Sequence, residues 1–504
     1  MRFAANGASS YDIQKMRQRF EQQLQLGVKP IKDTPILIKS RDDIPALVIA
    51  LLAIYESPEY NQQVFNLLEE VVLNGKKKTG RTGLNLWQIF VFAQYRLALN
   101  LDYDRLHYMT HSDSTLRQLL GIETETGFER IEISYQRIID NLHLLNVKAL
   151  NKINDVIVSF GHAKVFKKKE VGALSLKTDS FVVESNVHFP TDYNLLWDSS
   201  RKVLDVICWF SNKYPSIEGW RKASDWHSTL KNLSRAVGQA SASGGKGKED
   251  RLRKVARQYL IKSGALKNKV EQTKDNLPVG ELIDLAKAME LDRFLELIDK
   301  HMNLVDRRLL KGEKIPHEEK LFSIFEEYTE WITKGKSRPN VELGKKLSIT
   351  TDQYGLIIDY HIMENESDSE IVLSTADRVL LNYKIKSWSF DKGYWHKDNK
   401  WLLSTMVGKV IMPKKGKRNL QETEEEHSPD FKKLRNKHSA VESNINELEQ
   451  SGLDRCPDRG YHGFKRYIGI GIVAYNLQRI GKQLLKNEKE KQRKNKEKEL
   501  KLAA

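Results

Sequence analysis

The stretch SLKTDSFVVESNVHFPTDYNLLWDSSRKVL, residues 175–204, holds the feature around which the rest of the sequence can be interpreted. Its first part is a short run rich in apolar residues, which predicts a strand, and Asp179 lies inside that run. A carboxylate within a strand is costly unless it is paired or bound to a metal. Taken alone, Asp179 also fits an acid that hydrogen-bonds to a turn at a strand end. A polar segment follows, and a helical part is predicted from Trp197 onward.

The bulk composition describes a basic chain with enough apolar residues for packed cores. The length of 504 residues suggests about three domains. Its 83 Lys and Arg against 67 Asp and Glu give a formal net charge of +16. Such an excess indicates a polyanionic partner, most simply nucleic acid, although a protein with only a basic tail would show the same composition.

Cysteine usage and hydropathy exclude several classes of protein. The two cysteines, Cys208 and Cys456, are too few for a disulfide framework or a four-thiolate zinc site and fit a reducing cytosol. The N-terminus lacks the continuous apolar segment of a secretory signal. The longest apolar run, Ala46–Tyr55, is far shorter than the roughly 20 residues that cross a bilayer. We therefore expect a cytoplasmic protein that does not act at a membrane.

Hydrophobic periodicity divides the chain into helical and strand-rich parts. Helical spacing dominates residues 1–165, where basic turns such as Asn74–Asn85 suggest a DNA-binding module. Strand-like runs before residue 192 and after residue 345 enclose a second helical part with a Gly/Ser-rich interruption, Gly238–Asp250. The simplest interpretation is one α/β domain whose first strands are followed by a helical insertion. The predicted segments are a helical N-terminal DNA-binding and dimerisation domain (1–165), the first part of the α/β core (166–196), the helical insertion (197–340), the second part of the core (341–485) and a charged C-terminal tail (486–504).

Two further acids lie on the elements that would complete a metal site with Asp179. Two-metal phosphoryl-transfer sites need carboxylates that converge on two Mg²⁺ ions about 4 Å apart. Asp391 ends the predicted strand KIKSWSF, at the strand end where ligands of open α/β sheets gather. Glu442 lies on a helix predicted over residues 430–450, on a polar line beside an apolar stripe. A turn-forming Asp391 and a solvated Glu442 that pairs with His438 are the structural alternatives.

Three stretches together resemble the DDE transposases of bacterial insertion sequences, which have an RNase H-like catalytic core. They are LKTDSFVVESNVHFPTDYNLLWDSSRKVL around Asp179, FDKGYWHKDN from Phe390, and RNKHSAVESNINELEQSGLDRCPDRGYHGFKRYIGIGIVAYNLQRIGKQL around Glu442. Gly80–Ile122 is similar to the helical N-terminal domain of such proteins. The resemblance covers most of the chain except the helical insertion. It implies that Asp179, Asp391 and Glu442 are the catalytic, metal-binding carboxylates.

The resemblance also implies a reaction and its partners. The enzyme would bind the ends of its insertion sequence, cleave them by two-metal phosphodiester hydrolysis and join the 3′ ends to target DNA by transesterification. The implied cofactor is Mg²⁺, as two ions, with Mn²⁺ able to substitute. The implied partners are double-stranded DNA and a second copy of the chain, in a homodimer that holds two ends together. We expect no small-molecule substrate, and a bacterial enzyme of this kind would act at the nucleoid.

Polar and basic residues near the expected active site are candidates for contacting DNA. A solvated loop is the alternative explanation for each of them. Some related transposases carry Tyr, Arg and Lys on the helix face of the catalytic Glu, whereas this chain has Arg435, His438 and Glu449 there. The predicted DNA-binding residues are Asn186, His188, Lys414, Lys415, Lys417, Arg418, Arg435, His438, Arg459 and Arg466.

Other functions stay open from the sequence alone. A metal-dependent RNase H-like nuclease would keep the same core without strand transfer. A non-catalytic DNA-binding protein derived from a transposase would need no intact acidic set, although all three acids are present. A scaffold role for the helical parts would leave the strand-borne acids without a reason to converge.

Overall fold

The computed structural model describes residues 18–20, 25–73, 83–166, 173–333 and 340–503. Most of the basic turn Asn74–Asn85 that the sequence suggested lies outside these residues. Two compact units are present: Met1–Asn186 together with Lys334–Ala504, and Val187–Thr333. The first unit is therefore built from two parts of the sequence, and the second unit is encoded between them.

Helices make up most of both units, and strands are concentrated in the first. The helices are α1 Ile44–Tyr55, α2 Pro58–Val72, α3 Leu86–Ala98, α4 Tyr103–Ser112, α5 Ser114–Leu119, α6 Tyr135–Leu142, α7 Val147–Phe160, α8 Asp192–Lys213, α9 Ala223–Ala242, α10 Lys248–Lys274, α11 Leu282–Val305, α12 Val372–Leu380, α13 Lys397–Met406, α14 Leu420–His427, α15 Pro429–Leu448 and α16 Gly460–Ala503. The strands are β1 Leu174–Ser185, β2 Glu330–Thr333, β3 Val341–Thr351, β4 Ile357–Ile362, β5 Ile385–Phe390, β6 Val410–Ile411 and β7 Arg455–Cys456.

The N-terminal helices of the first unit share an apolar core with α16. Helix α3 is buried along nearly its whole length. It begins with a capping box, in which the side chains of Asn85 and Gln88 satisfy each other's backbone N–H groups. Helix α16 packs on α1, α3 and α7. The approach to α1 requires Gly481, because a Cβ there would collide with the Ala46 carbonyl oxygen.

The mixed sheet of the first unit is centred on β1. Strand β3 runs antiparallel to β1 and to β4, whereas β5 is parallel to β1 and β6 is parallel to β5. Strand β7 adds a short parallel pairing at the other end of β1, beside Glu184 and Ser185. The strand that bears Asp179 therefore lies between β3 and β5. The expected combination of helical parts with a mixed α/β sheet is confirmed.

The turn between β3 and β4 is the hairpin that the sequence DQYG predicts. The carboxylate of Asp352 accepts hydrogen bonds from the backbone N–H groups of Tyr354 and Leu356, at 2.8 and 2.9 Å. Gly355 adopts a φ of +79°, which costs a glycine little. The turn chemistry of these four residues thus fixes the register of β3 against β4.

The second unit is a helical bundle. One of its helices, α9, extends past Gly238, where the sequence predicts a loop. Helices α8 and α11 pack together, as do α9 and α10, around buried residues such as Ile207, Tyr259 and Ile298. The Gly/Ser-rich stretch was predicted as a loop from Gly238, but α9 continues through it to Ala242. A helical glycine is tolerated here because its backbone packs beside Tyr193, and packing outweighs propensity.

One further expectation about element boundaries is wrong. Trp331 lies in strand β2, in a part of the sequence that was predicted to be helical, because its β-branched and aromatic neighbours favour an extended backbone. The last helix, α16, runs from Gly460 to Ala503 and takes in the charged C-terminal tail. Its charged final turns are exposed as far as Leu500. In the described part of the chain, the helices are too short or too polar to cross a membrane.

Candidate active site

Asp179 and Asp391 lie side by side at the ends of two parallel strand segments. In the β1–β5 pairing, Lys177 is opposite Ser389 and Thr178 is opposite Phe390. The next residue on β1 is Asp179, and the next residue after β5 is Asp391. Because paired parallel strands hold equivalent positions about 5 Å apart, this register brings the two predicted acids together.

Glu442 reaches the same place from α15, which packs on β1, β5 and β6. The helix is held at the sheet by His438, whose Nδ1 lies 3.1 Å from the Ser389 hydroxyl. Glu442 is four residues after His438 on the same face of the helix, and Asp391 is two residues after Ser389 on the same side of the strand. The contact of His438 with Ser389 therefore places Glu442 near Asp391. Asp391, His438 and Glu442 line one cleft of about 540 Å³. The pairing of Glu442 with His438 that was the structural alternative is not formed, because the His438 ring points to Ser389.

Electrostatics join the three acids. The pKa of Asp179 is raised to about 7, mainly by burial and also by the negative charges of Asp391, Asp368 and Glu442, against the lowering effect of a hydrogen bond from the Ser180 N–H. A carboxylate acts on a neighbour's pKa in this way only at short range. The three predicted acids therefore lie near enough to act on one another electrostatically, and their role as one catalytic set stays a prediction.

The donor set suits a hard divalent cation. Carboxylate oxygens are the ligands that Mg²⁺ prefers, and burial together with the neighbouring carboxylates raises the pKa of Asp179, which a bound cation would reverse. Within the described ranges, however, no group of three or more His, Cys, Asp or Glu side chains lies close enough together to hold a metal ion in the present arrangement. The chemistry of the residues fits the ion, and the ligand set stays a prediction.

Asp368 is a fourth acid at this site, and the sequence analysis missed it. Its carboxylate accepts hydrogen bonds from the Ser180 hydroxyl at 2.7 Å and from the Lys346 ammonium at 3.2 Å. A Cβ on Gly393 would lie 2.9 Å from its Oδ2. Successive side chains of a strand point to opposite faces, so Asp368 supports the neighbour of Asp179 from the face opposite to α15. The polar stretch ESDSE around it offers no periodic signal that could have identified it.

The basic residues predicted to contact DNA differ in how available they are. Arg435 is exposed and lines the cleft. Arg418 also lines it, but its Nε donates to Glu426 at 2.8 Å. Lys414 is held by the Glu422 carboxylate at 2.6 Å. Lys415 and Lys417 are exposed in the turn before α14, and Arg459 is exposed before α16.

Two predicted DNA contacts are placed in the interior. His438 is 9 % exposed, and burial lowers its pKa to about 4, which keeps the ring neutral near pH 7. Such a ring positions α15 better than it binds phosphate. The Arg466 side chain is 11 % exposed and lies 3.5 Å from the Asp458 carboxylate, within a cluster that also contains Arg96.

The last two candidates precede α8. Asn186 is exposed at the end of the first unit, and His188 is exposed in the second. The Nε2 of His188 lies 3.3 Å from the Asp198 carboxylate, so its nearest charged partner is a residue of its own unit. A DNA contact by either residue stays a prediction.

Comparison with known proteins gives one family. Residues 302–477 match the model of the transposase DDE domain. This segment of the chain is therefore similar to a transposase DDE domain. No curated protein and no solved structure matches. The predicted resemblance to a DDE-type transposase of an insertion sequence is confirmed.

The matched segment divides the acids of the site. Asp391 and Glu442 lie within the DDE domain match, whereas Asp179 precedes it by more than a hundred residues. The β1–β5 register nevertheless brings Asp179 to Asp391. The match to a transposase domain implies DNA as the partner.

Proposed function

We propose that this transposase cleaves the ends of its insertion sequence and joins their 3′ ends to target DNA, with Asp179, Asp391 and Glu442 as the catalytic carboxylates. The observation that supports the proposal is that the elements of the three acids meet at one end of the β1–β5 pair. Their strands are adjacent in register, their helix packs on those strands, and their charges act on one another. Acids on a sheet and its covering helix converge in this way when they share a ligand.

The proposed cofactor is Mg²⁺, as two ions, with Mn²⁺ as a substitute. When bound, the two ions would activate the attacking oxygen and stabilise the leaving oxygen of an in-line displacement. Asp179 and Asp391 would hold them from the sheet, and Glu442 would hold them from α15. Ser389 and His438 keep that helix against β5 through their hydrogen bond, so they position Glu442 and need not touch DNA themselves.

The rim of the cleft supports a phosphodiester substrate. The exposed side chains of Lys392 and Arg435 lie beside the acids, and Arg418 lies at the same rim. Cations placed around a carboxylate site attract the phosphates that flank a scissile bond. Lys415, Lys417 and Arg459 are further exposed candidates along the DNA path.

The proposed organisation follows the sequence. The mixed sheet with flanking helices supports an RNase H-like core, formed from segments 166–196 and 341–485. The helical segment 197–340 would be an insertion in that core, and segment 1–165 a DNA-binding and dimerisation domain. A homodimer would hold two element ends together, and the enzyme would act at the bacterial nucleoid.

The test separates transposition from simple cleavage. The full chain is incubated with duplex DNA that carries the element ends, a target plasmid and Mg²⁺. Joined products support transposition, whereas cleavage without joining would favour an RNase H-like nuclease, and binding without cleavage would favour a non-catalytic DNA-binding protein. Asp179→Asn should bind the ends and cleave nothing.

The matched control for Asp179→Asn is Asp398→Asn. Asp398 lies shortly after the end of β5 in the sequence, as Asp391 does, but its side chain is 82 % exposed. Its neutralisation changes the net charge equally and should leave cleavage intact. Cleavage by Asp179→Asn at the level of Asp398→Asn would remove Asp179 from the proposed catalytic set.

A further inference from the structure

The positive charge of the helical unit is concentrated in one part of it. Residues 221–274, which span α9 and α10, contain fourteen Lys and Arg but only four Asp and Glu. Their net charge of +10 compares with +16 for all 504 residues. The rest of the unit, Val187–Trp220 and Asp275–Thr333, contains eleven basic and eighteen acidic residues, which makes it acidic. Such a segregation of charge is a feature of proteins that bind a polyanion.

Acidic residues of α11 neutralise only the end of α10 that lies far from the α9–α10 turn. Lys267 pairs with Asp299 at 2.7 Å, and Lys274 pairs with Asp292. These ion pairs hold α10 against α11, so Lys267 and Lys274 are neutralised within the unit. The positive potential is therefore concentrated toward the turn that joins α9 and α10.

The opposite half of the pair carries exposed cations with few partners. Arg253, Lys254 and Arg257 are exposed on α10, and Arg235 is exposed on α9. Throughout the described parts of the chain, no carboxylate lies within ion-pair distance of Arg235, Lys254 or Arg257. Arg253 lies 3.7 Å from the exposed Glu249, a surface pair that contributes little.

The turn between the two helices is ordered by its own residues. Gly245 and Gly247 adopt φ values of +89° and +72°, a conformation that glycine takes at little cost. The Arg251 guanidinium donates hydrogen bonds to the carbonyl oxygens of Gly244 and Lys246, at 3.0 and 2.9 Å. The turn therefore adds Lys246 and Lys248 to the same end of the helix pair, in a defined backbone conformation.

We propose that this end of the α9–α10 pair is a second DNA-binding surface, separate from the cleft of Asp391 and Glu442, that binds the sugar-phosphate backbone of duplex DNA. The hairpin tip is defined by Arg235, Lys246, Lys248, Arg253, Lys254 and Arg257. The inference rests on the proposed function for its choice of DNA as the polyanion. Lys and Arg contacts to phosphate hold a duplex in place without reading its sequence, so the hairpin tip binds flanking or target DNA irrespective of sequence.

The experiment measures how the affinity of the full chain for duplex DNA depends on salt. Each phosphate neutralised adds about 0.9 to the slope of log K against log salt concentration. The variant Arg253→Gln/Lys254→Gln/Arg257→Gln should lower that slope by roughly 2 to 3 and weaken binding by roughly tenfold or more at low salt. The loss should be equal for duplexes with and without the element ends. Binding is measured in EDTA, so that it does not depend on cleavage.

The matched control removes three positive charges from the acidic part of the same unit. Lys300, Lys314 and Lys320 are exposed there, and their joint replacement by Gln changes the net charge equally. This control should keep the wild-type slope. A second variant, Arg235→Glu, tests the surface from α9 and should lower the slope in the same direction. Unchanged thermal unfolding of each variant establishes that the bundle is intact.

Equal slopes for the hairpin variant, the control and the wild type would overturn the proposal. Equal losses in both triple variants would also overturn it, because net charge would then explain binding. A hairpin variant that binds DNA normally but loses affinity for poly-glutamate would assign the surface to an acidic protein instead. The proposed function fails separately: a wild-type chain that binds DNA through the hairpin tip but neither cleaves nor joins it would refute transposition and leave this surface standing.

Discussion

The Ser180 hydroxyl donates a hydrogen bond of 2.7 Å to the Asp368 carboxylate, although 188 residues separate the two in the sequence. The bond fixes the residue next to Asp179 from the side of the sheet opposite to α15. Lys346 holds the same carboxylate at 3.2 Å, and the Gly393 turn after Asp391 passes directly against it. Asp368 therefore supports both strand-borne acids without occupying their cleft.

Asp368→Asn should reduce cleavage mainly by weakening the use of Mg²⁺. Replacement of a group that orients metal ligands typically costs roughly 10- to 100-fold in metal affinity or activity. We expect the Mg²⁺ concentration for half-maximal cleavage to rise, and high Mg²⁺ to restore much of the rate. An unchanged Mg²⁺ dependence together with a lower rate would indicate that Asp368 acts on folding alone, and thermal unfolding of the variant checks that directly.

The raised pKa of Asp179 predicts how stability depends on pH in metal-free protein. Because the folded-state pKa is about 7 and the ordinary value is 3.8, the protonated carboxyl stabilises the fold fully below about pH 4, and this contribution is lost as the pH rises toward 7. Asp179→Asn keeps a neutral side chain at every pH. It should therefore unfold at a higher temperature than the wild type at pH 8, and the difference should shrink toward pH 4. A difference that is constant across this range would contradict the prediction.

The ion pair of Arg96 and Asp458 predicts an asymmetric response to mutation. The Arg96 guanidinium donates to both carboxylate oxygens of Asp458, at 2.6 and 3.2 Å, and the two side chains are 2 and 6 % exposed. Asp458→Ala leaves a buried guanidinium unpaired and should destabilise the first unit by roughly 3–5 kcal/mol. The double variant Arg96→Leu/Asp458→Leu removes both charges and should be less destabilised than Asp458→Ala. Denaturant unfolding measures both; a double variant that is as unstable as the sum of the single variants would contradict the prediction.

Gly481 predicts a stability effect that opposes helix propensity. Alanine normally stabilises a helix relative to glycine by about 1 kcal/mol, but at this position its Cβ would meet the backbone of α1 at Ala46. Gly481→Ala should therefore destabilise the first unit by roughly 1–3 kcal/mol through overpacking. Gly264 in α10 is the control, because its nearest neighbour for an added Cβ is the flexible end of Met302 at 3.4 Å. Gly264→Ala should be neutral or stabilising in the same thermal unfolding measurement.

Local patterns in the sequence predicted the elements that carry the acids. An apolar run places Asp179 on a strand, the DQYG turn predicts a hairpin, and helical spacing predicts the helix of Glu442. Each of these signals comes from residues a few positions apart, and the structure contains all three elements. The adjacency of Asp179 and Asp391 depends on strand pairing over some two hundred residues, for which no local pattern exists.

Other features of the site depend on tertiary contacts alone. His438 lies in a polar line of α15, so spacing suggested an exposed residue, but the Ser389 hydroxyl gives it a buried partner. Asp368 lies in a polar stretch that would fit any surface loop, and its role follows from Ser180 and Lys346. Residue type and hydrophobic periodicity describe one helix or strand at a time. They do not predict which polar side chains from different elements form hydrogen bonds.

The place of β1 in the chain has a consequence for protein synthesis. Strand β1 is complete at residue 185, but its partner β5 ends at residue 390 and β7 at residue 456. At about 5–20 residues per second, a ribosome needs roughly 15–55 s to make the segment from the end of β1 to the end of β7. From residue 333 onward a nascent chain contains its N-terminal helices and the helical unit, but it still lacks β5 and α15, which carry the acids that join Asp179. If the proposed function holds, DNA cleavage would be withheld until about nine-tenths of the polypeptide has been translated, and a chain that terminates early would occupy DNA without cutting it.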